Sequence, residues 1–168
     1  MNRFDPFRVL RALLAHNVKF IVIGGVAGRA WGSTALTNDL DICYERSKAN
    51  HEALAVTLRE LGATLRGAPE GLPFQLDAKT FAMGDAFTFE TVAGWVDCLG
   101  TPSGTTGYHD LLRAAAEVSV QDVTFKVVSL DDLLRMKRAA GRPKDRVAIE
   151  ILSALKEERE RAGLSNSP

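Results

Sequence analysis

Residues 39–44 read Asp-Leu-Asp-Ile-Cys-Tyr, an apolar strand that carries two carboxylates one residue apart. Side chains on a strand alternate between its faces, so Asp39 and Asp41 project together while Leu40 and Ile42 face a core. Aspartate is depleted in strands, and two like charges side by side repel. Such a segment calls for a sheet with one buried face and for a counter-charge on the other. A divalent cation is the natural one, because Mg²⁺ (or Mn²⁺) takes carboxylate oxygens together with substrate phosphates. On these four residues alone a plainer reading stays open: Asp39 ends the Thr37-Asn38-Asp39 turn and Asp41 lies on an exposed strand face.

The neighbouring sequence adds to the pair. Phe20-Ile21-Val22-Ile23 runs into Gly24-Gly25, and a short helix is expected over Val26–Trp31. Glycines let a backbone approach phosphate closely, and a helix N-terminus offers free N–H groups. A phosphate cradle and a carboxylate pair then lie on neighbouring strands. Ser33, in the turn-like stretch Gly32–Asn38, is a further candidate phosphate contact. A third acid, Asp97, interrupts the apolar run Gly94-Trp95-Val96-Asp97-Cys98-Leu99. If its strand lies beside the first pair, Asp97 completes a triad, as a metal ligand or as the base that receives an acceptor hydroxyl's proton.

The other elements are read from periodicity and caps. Helices are expected over Arg3–His16, from Lys48 to Leu61 behind an N-cap at Ser47, from Ser129 to about Ala140, and from about Lys144 to Arg161. Phe87–Glu90 and Val92–Leu99 form a strand pair, and Val118–Val127 a hairpin across Gln121-Asp122. Residues 63–84 show no pattern. Gly100–Gly107 is read as a plain connection close enough to Asp97 to gate a site, and Trp31 and Trp95 as core. The fold class is α/β (α+β): a mixed sheet of about five strands flanked by helices, with a C-terminal helical segment. Residues 1–162 are expected to form one domain and 163–168 a flexible tail. The chain has 168 residues, no net charge and two cysteines, each within an apolar strand. That balance argues against a general nucleic-acid or membrane binder. With no signal peptide read at the N-terminus and no disulfide framework, a cytoplasmic protein is expected.

Strand, Gly-Gly, a gap over 26–38, Asp39-Leu40-Asp41 and a later Asp97 resemble the polymerase-beta-type nucleotidyltransferase superfamily. Ser129-Leu130-Asp131-Asp132-Leu133, Met136-Lys137-Arg138 and Gly141-Arg142-Pro143-Lys144-Asp145 are similar to the small bacterial members related to abortive-infection toxins of toxin–antitoxin systems. The resemblance implies a nucleotidyltransferase fold and metal-dependent transfer of a nucleoside monophosphate from a nucleoside triphosphate to a hydroxyl of RNA, a protein or a small molecule. It implies Asp39, Asp41 and Asp97 as catalytic metal ligands. It further implies nucleotide contacts at Gly24, Gly25, Ser33, Thr37, Lys137, Lys144 and Asp145, and an antitoxin as a possible partner. Two positions depart from the family pattern. Ala35 stands where relatives often carry arginine, and Ala148 where they often carry a second aspartate. These departures keep a non-catalytic binding module of the same fold in view. A dinucleotide-binding reading fails because Gly24-Gly25-Val26-Ala27-Gly28 lacks the Gly-x-Gly-x-x-Gly spacing. A Walker loop fails because no Gly-Lys-Ser/Thr follows the glycines.

Overall fold

The computed structural model describes residues 3–164 and 166–168. The chain runs α1 (Pro6–Ala15), β1 (Phe20–Ile23), α2 (Gly24–Ala30), β2 (Asp39–Tyr44), α3 (Lys48–Glu60), β3 (Thr64–Leu65), α4 (Ala78–Met83), β4 (Ala86–Thr91), β5 (Gly94–Leu99), α5 (Tyr108–Leu112), β6 (Ala116–Val120), β7 (Val123–Val127), α6 (Leu130–Ala140) and α7 (Pro143–Arg161). Among the described residues the sheet has seven strands in the order β3-β4-β5-β2-β1-β7-β6. It is mixed: β2–β5 and β1–β7 pair parallel, and the other neighbours pair antiparallel. The count exceeds the expected five partly because β3 has only two residues, too few to show a period of two. β3 is extended by the Arg66 N–H, which donates to the Thr88 carbonyl at 2.9 Å.

Local chemistry explains where the helices begin and end. Asp5 accepts the Arg8 N–H at 3.1 Å and Pro6 opens α1, a favourable pairing of N-cap and first helical residue. Ser47 caps α3 through the Asn50 N–H, and Ser129 caps α6 through the Asp132 N–H. Gly141, at φ 61°, closes α6 in the left-handed conformation that glycine adopts without penalty. Gln121 and Asp122 both have positive φ, as a two-residue hairpin turn requires, which bears out the hairpin read across them. One start differs from expectation. α2 begins at Gly24 itself rather than at Val26, so the two glycines form the helix's first turn.

The strand registers assign the two faces of the sheet. Ile23 pairs with Asp41, and Asp41 with Asp97, so these three share one face. Val22, Ile42 and Cys98 share the opposite face by the same registers. That second face is the main apolar layer: Leu40, Ile42, Tyr44, Phe89, Val96 and Cys98 have no exposed surface. Tyr44 meets the rings of His51 from α3 and Phe81 from α4 edge-on, at 5.8 and 5.7 Å between centroids. Cys43 and Cys98 fall on opposite faces of adjacent strands and are free, buried thiols. On the first face, α2 packs against α6 and α7. An added Cβ on Gly28 would meet Leu133 and Leu152 at 3.9 and 3.7 Å. Beyond those helices the first face stays open over β5 and β4, and the carboxylates stand at that boundary. Among the described residues no helix is long and apolar enough to cross a membrane.

Candidate active site

Parallel pairing of β2 with β5 sets Asp41 directly beside Asp97, and Asp39 beside Trp95. The alternation read from Asp39-Leu40-Asp41 therefore holds, and the third acid joins the pair from the next strand. Asp39, Asp41 and Asp97 each offer a carboxylate oxygen such that all three atoms lie within 4.8 Å of one another. Burial, then the charges of Asp39 and Asp97, push the Asp41 carboxyl up to about 7, while Lys137 and Lys144 pull it down. Burial also raises Asp97, with Arg66 pulling against it. Three crowded carboxylates with too little positive charge among them form a donor set suited to a hard divalent cation.

Arg66 is the group that meets Asp97. It leaves β3 opposite Thr88, which is itself opposite Asp97, so Arg66, Thr88, Asp97 and Asp41 form one row across four strands. Arg66 Nη2 donates to Asp97 Oδ2 at 3.4 Å. Nη1 lies 3.2 Å from Oδ1 as an ion pair, but the angle misses hydrogen-bond geometry, so both of these buried atoms lack a hydrogen-bond partner. The guanidinium also sits 4.7 Å from the centroid of the Trp95 ring. Asp97 Oδ1 thus accepts no hydrogen bond, and its one close partner is the Arg66 cation, with which a metal ion at this triad would compete.

The glycines abut the carboxylates. Gly24 has φ +66°, and a Cβ there would fall 2.0 Å from Asp41 Oδ2. A Cβ on Gly25 would fall 2.7 Å from Thr37 Oγ1. Thr37 in turn donates to the Asp39 main-chain carbonyl and its Oδ1, at 3.1 and 3.2 Å. The Gly24-Gly25 backbone, Thr37 and the pair Asp39 and Asp41 are therefore one contiguous cluster.

A cavity of about 270 Å³ opens from this cluster toward α6. Ile23, Gly24, Asp41, Leu133, Met136, Lys137 and Arg142 line it, with Pro102 and Ser103 from the 100–107 loop. Lys137 reaches Asp145 Oδ1 at 3.4 Å, and Arg142 Nε donates to Asp145 Oδ2 at 2.8 Å. Asp145 is 1% exposed and does not line the cavity. The hydrogen bonds and charge of Arg142 hold its carboxyl down at about 2. Its position is that of an anchor fixing the two cations that do line the cavity. Lys144 is exposed, and its charge acts on Asp41 and Asp97.

Other expected contacts fall elsewhere. The Ser33 hydroxyl accepts the Ala35 N–H at 3.2 Å, a turn-forming bond, and Ser33 does not line the cavity. Arg29 donates to the Ala35 carbonyl at 3.2 Å and so braces the loop that carries Ala35. Trp31 is core as expected, 3% exposed with Nε1 donating to the Val128 carbonyl at 2.8 Å. Trp95 is not: it is 40% exposed on the carboxylate face, because its strand neighbours Val96 and Cys98 take the buried side. The 100–107 loop is held down by Arg135, which donates to the Gly104 carbonyl at 2.9 Å, and it contributes two cavity residues. Arg66 escaped the sequence reading because its partner lies 31 residues away and its own segment shows no periodicity.

No protein-family model and no curated protein sequence matches the chain. Solved structures do match. Lincosamide antibiotic adenylyltransferase LnuA, in its lincomycin-bound form, aligns with a TM-score of 0.61 at 13% identity, over 92% of this chain and 99% of that one. ANT(2")-Ia in complex with adenylyl-2"-tobramycin aligns at 0.57 and 14% identity, over 94% and 91%. The fold is that of a nucleotidyltransferase. A candidate nucleotidyltransferase from Thermotoga maritima shares it too, at 0.55 and 15% identity over 93% and 97% of the two chains. At identities this low the nucleotidyltransferase likeness speaks to the fold, and the chemistry rests on the residues themselves.

Proposed function

We propose that the protein transfers a nucleoside monophosphate from a nucleoside triphosphate to a hydroxyl acceptor, with Asp39, Asp41 and Asp97 as ligands of Mg²⁺ or Mn²⁺. The observation that carries this reading is the triad itself: three carboxylates on adjacent strands, of which Asp41 abuts the Gly-Gly turn and lines a cavity shared with Lys137 and Arg142. A bound divalent ion would stabilise charge developing on the leaving pyrophosphate and make the acceptor hydroxyl more acidic. The chain's own groups do the remaining work. Gly24 and Gly25 let the backbone approach the phosphates, and Thr37 holds Asp39 in place. Lys137, Arg142 and Lys144 supply positive charge along the triphosphate. Asp97, shifted upward, takes the proton from the acceptor hydroxyl. The acceptor oxygen then bonds to the α-phosphorus as the bond to the β-phosphate oxygen breaks, and pyrophosphate leaves. Ser33 has the weakest claim to a phosphate contact, and Asp145 acts through Lys137 and Arg142.

ATP is the donor to test first, since two proteins of this fold are an adenylyltransferase and an adenylyl-product complex. Incubation with ATP labelled at the α-phosphate and Mn²⁺ should label an acceptor, and Asp41→Asn should abolish the label while far-UV dichroism stays native. Label transfer that survives Asp41→Asn would overturn the reading. A second reading, a non-catalytic binding module, is favoured by one contact: Arg66 already occupies Asp97. It predicts nucleotide binding that EDTA leaves unchanged. The toxin–antitoxin role, with an antitoxin partner, rests on the resemblance of residues 129–145 alone.

A further inference from the structure

The cavity that opens from Asp41 has a wall of two kinds. Its charged members are Asp41, Lys137 and Arg142. Another part of the wall is Leu99, Pro102 and Ser103, with Met136 and Ala140 from α6. Strand register places the change between the two. Leu99 follows Asp97 by two residues on β5 and so shares its face. It lies about 7 Å farther along the strand, at about 3.3 Å per residue. From Leu99 the chain continues straight into the 100–107 loop. None of these five residues carries a charge, and the Ser103 hydroxyl is the one polar side chain among them.

The loop is fastened to α6. Arg135 donates to the Gly104 carbonyl at 2.9 Å, to Asp110 Oδ2 at 3.1 Å and to Asp132 Oδ1 at 2.9 Å. Asp110 also accepts the Thr106 N–H at 3.0 Å. Gly104 has φ +78°, and a Cβ there would fall 2.7 Å from the Ala139 Cβ, so the loop backbone lies directly on the helix. Pro102 is buried and Ser103 beside it is exposed. A nucleotide has the same two-part character as this wall. Its phosphates call for cations, and its nucleoside calls for an apolar surface with a few placed polar groups. Resting on the transferase reading above, we propose that the 100–107 loop forms the nucleoside subsite of the donor: Leu99, Pro102 and Met136 take the base, the Ser103 hydroxyl bonds to the nucleoside, and Arg135 is the residue that positions the loop. The acceptor is the competing occupant of this space, and the test separates the two.

The full chain would be titrated by calorimetry in Mg²⁺ with ATP, GTP, CTP and UTP, and separately with inorganic tripolyphosphate, which keeps the phosphates and has no nucleoside. The proposal predicts that the best nucleotide binds the wild type at least tenfold more tightly than tripolyphosphate. Ser103→Ala should weaken that nucleotide about fivefold, the loss of one neutral hydrogen bond, and leave tripolyphosphate unchanged. Arg135→Ala should weaken the nucleotide at least as much, again sparing tripolyphosphate, and Arg135→Lys should recover part of the loss. A purely structural role for Arg135 would instead weaken both ligands together. Ser103→Ala, at an exposed loop position, guards against a folding defect. Equal loss of nucleotide and tripolyphosphate, nucleotide binding indifferent to Ser103→Ala and Arg135→Ala, or a wild type that does not prefer nucleotide to tripolyphosphate would overturn the proposal. If a nucleotide binds with metal but the loop variants leave it unchanged, the subsite inference falls and the transferase reading stands. If no nucleotide binds, or EDTA leaves its binding unchanged, the transferase reading falls and the subsite falls with it.

Discussion

Gly24 and Asp41 share one small volume, so the glycine is fixed by its neighbour as much as by its own φ of +66°. Gly24→Ala is expected to lower stability by about 1–3 kcal/mol through left-handed strain and displacement of Asp41. It should also weaken Mn²⁺ binding, with denaturant unfolding and calorimetry as the readouts. Asp41 itself lies in a conflicted place. Its carboxyl holds a proton up to about pH 7 in the folded chain, whereas the unfolded chain releases it near 3.8. The raised value means that this group costs stability increasingly as pH rises from about 4 to about 7. Asp41→Asn should therefore stabilise the metal-free protein above pH 7, by about 1–3 kcal/mol, and leave it unchanged below pH 4. Thermal melts in EDTA across that range test this; a destabilised variant at pH 8 would count against it. At the far end of the same row, Arg66→Ala removes a cation 3.2 Å from Asp97. Metal binding to the nucleotide-free protein should then tighten, because the ion no longer competes with the guanidinium for that carboxylate.

Helix α7 contributes to the site through its first turn. Asp145 accepts the Arg142 N–H, Nε and Nη2 at 3.1, 2.8 and 3.2 Å and pairs with Lys137 of α6, tying two helices into one basic wall. Asp145→Asn leaves those cations without their counter-ion and should cost about 2–4 kcal/mol at pH 7. The sign of its pH dependence is opposite to that of Asp41. The depressed carboxyl contributes stability above pH 3.8 that is lost as pH falls toward about 2. The variant should thus converge on the wild type in acid melts. Elements of this kind differ in how far the sequence reveals them. β2 is legible residue for residue, from Asp39 to Tyr44, because period-two alternation and a buried face coincide there. The caps at Ser47 and Ser129 are legible because the capping atoms lie three residues away. β3, α4 and the Arg66–Asp97 pair are not, since their partners are distant in sequence and 63–84 carries no apolar period. Trp95 illustrates the same limit. Strand periodicity shows that it alternates with Val96, but only the sheet's incomplete cover decides that its side is the exposed one.

At the scale of the whole molecule, a chain with no net charge separates its charges locally: three acids crowd one sheet face, and Lys137 and Arg142 line the same cavity as one of them, Asp41. That separation suits a bound metal–triphosphate, which would compensate both halves at once. The proposed function requires that the carboxylate triad bind nucleotide through a divalent ion. The most direct measurement is calorimetric titration of ATP, GTP, CTP and UTP into the protein with Mg²⁺, then with EDTA, for the wild type and for the variant carrying both Asp39→Asn and Asp41→Asn. At least one triphosphate should bind the wild type in Mg²⁺, and both EDTA and the double substitution should abolish that binding. Binding that is equal in EDTA, or retained by the double variant, would contradict it.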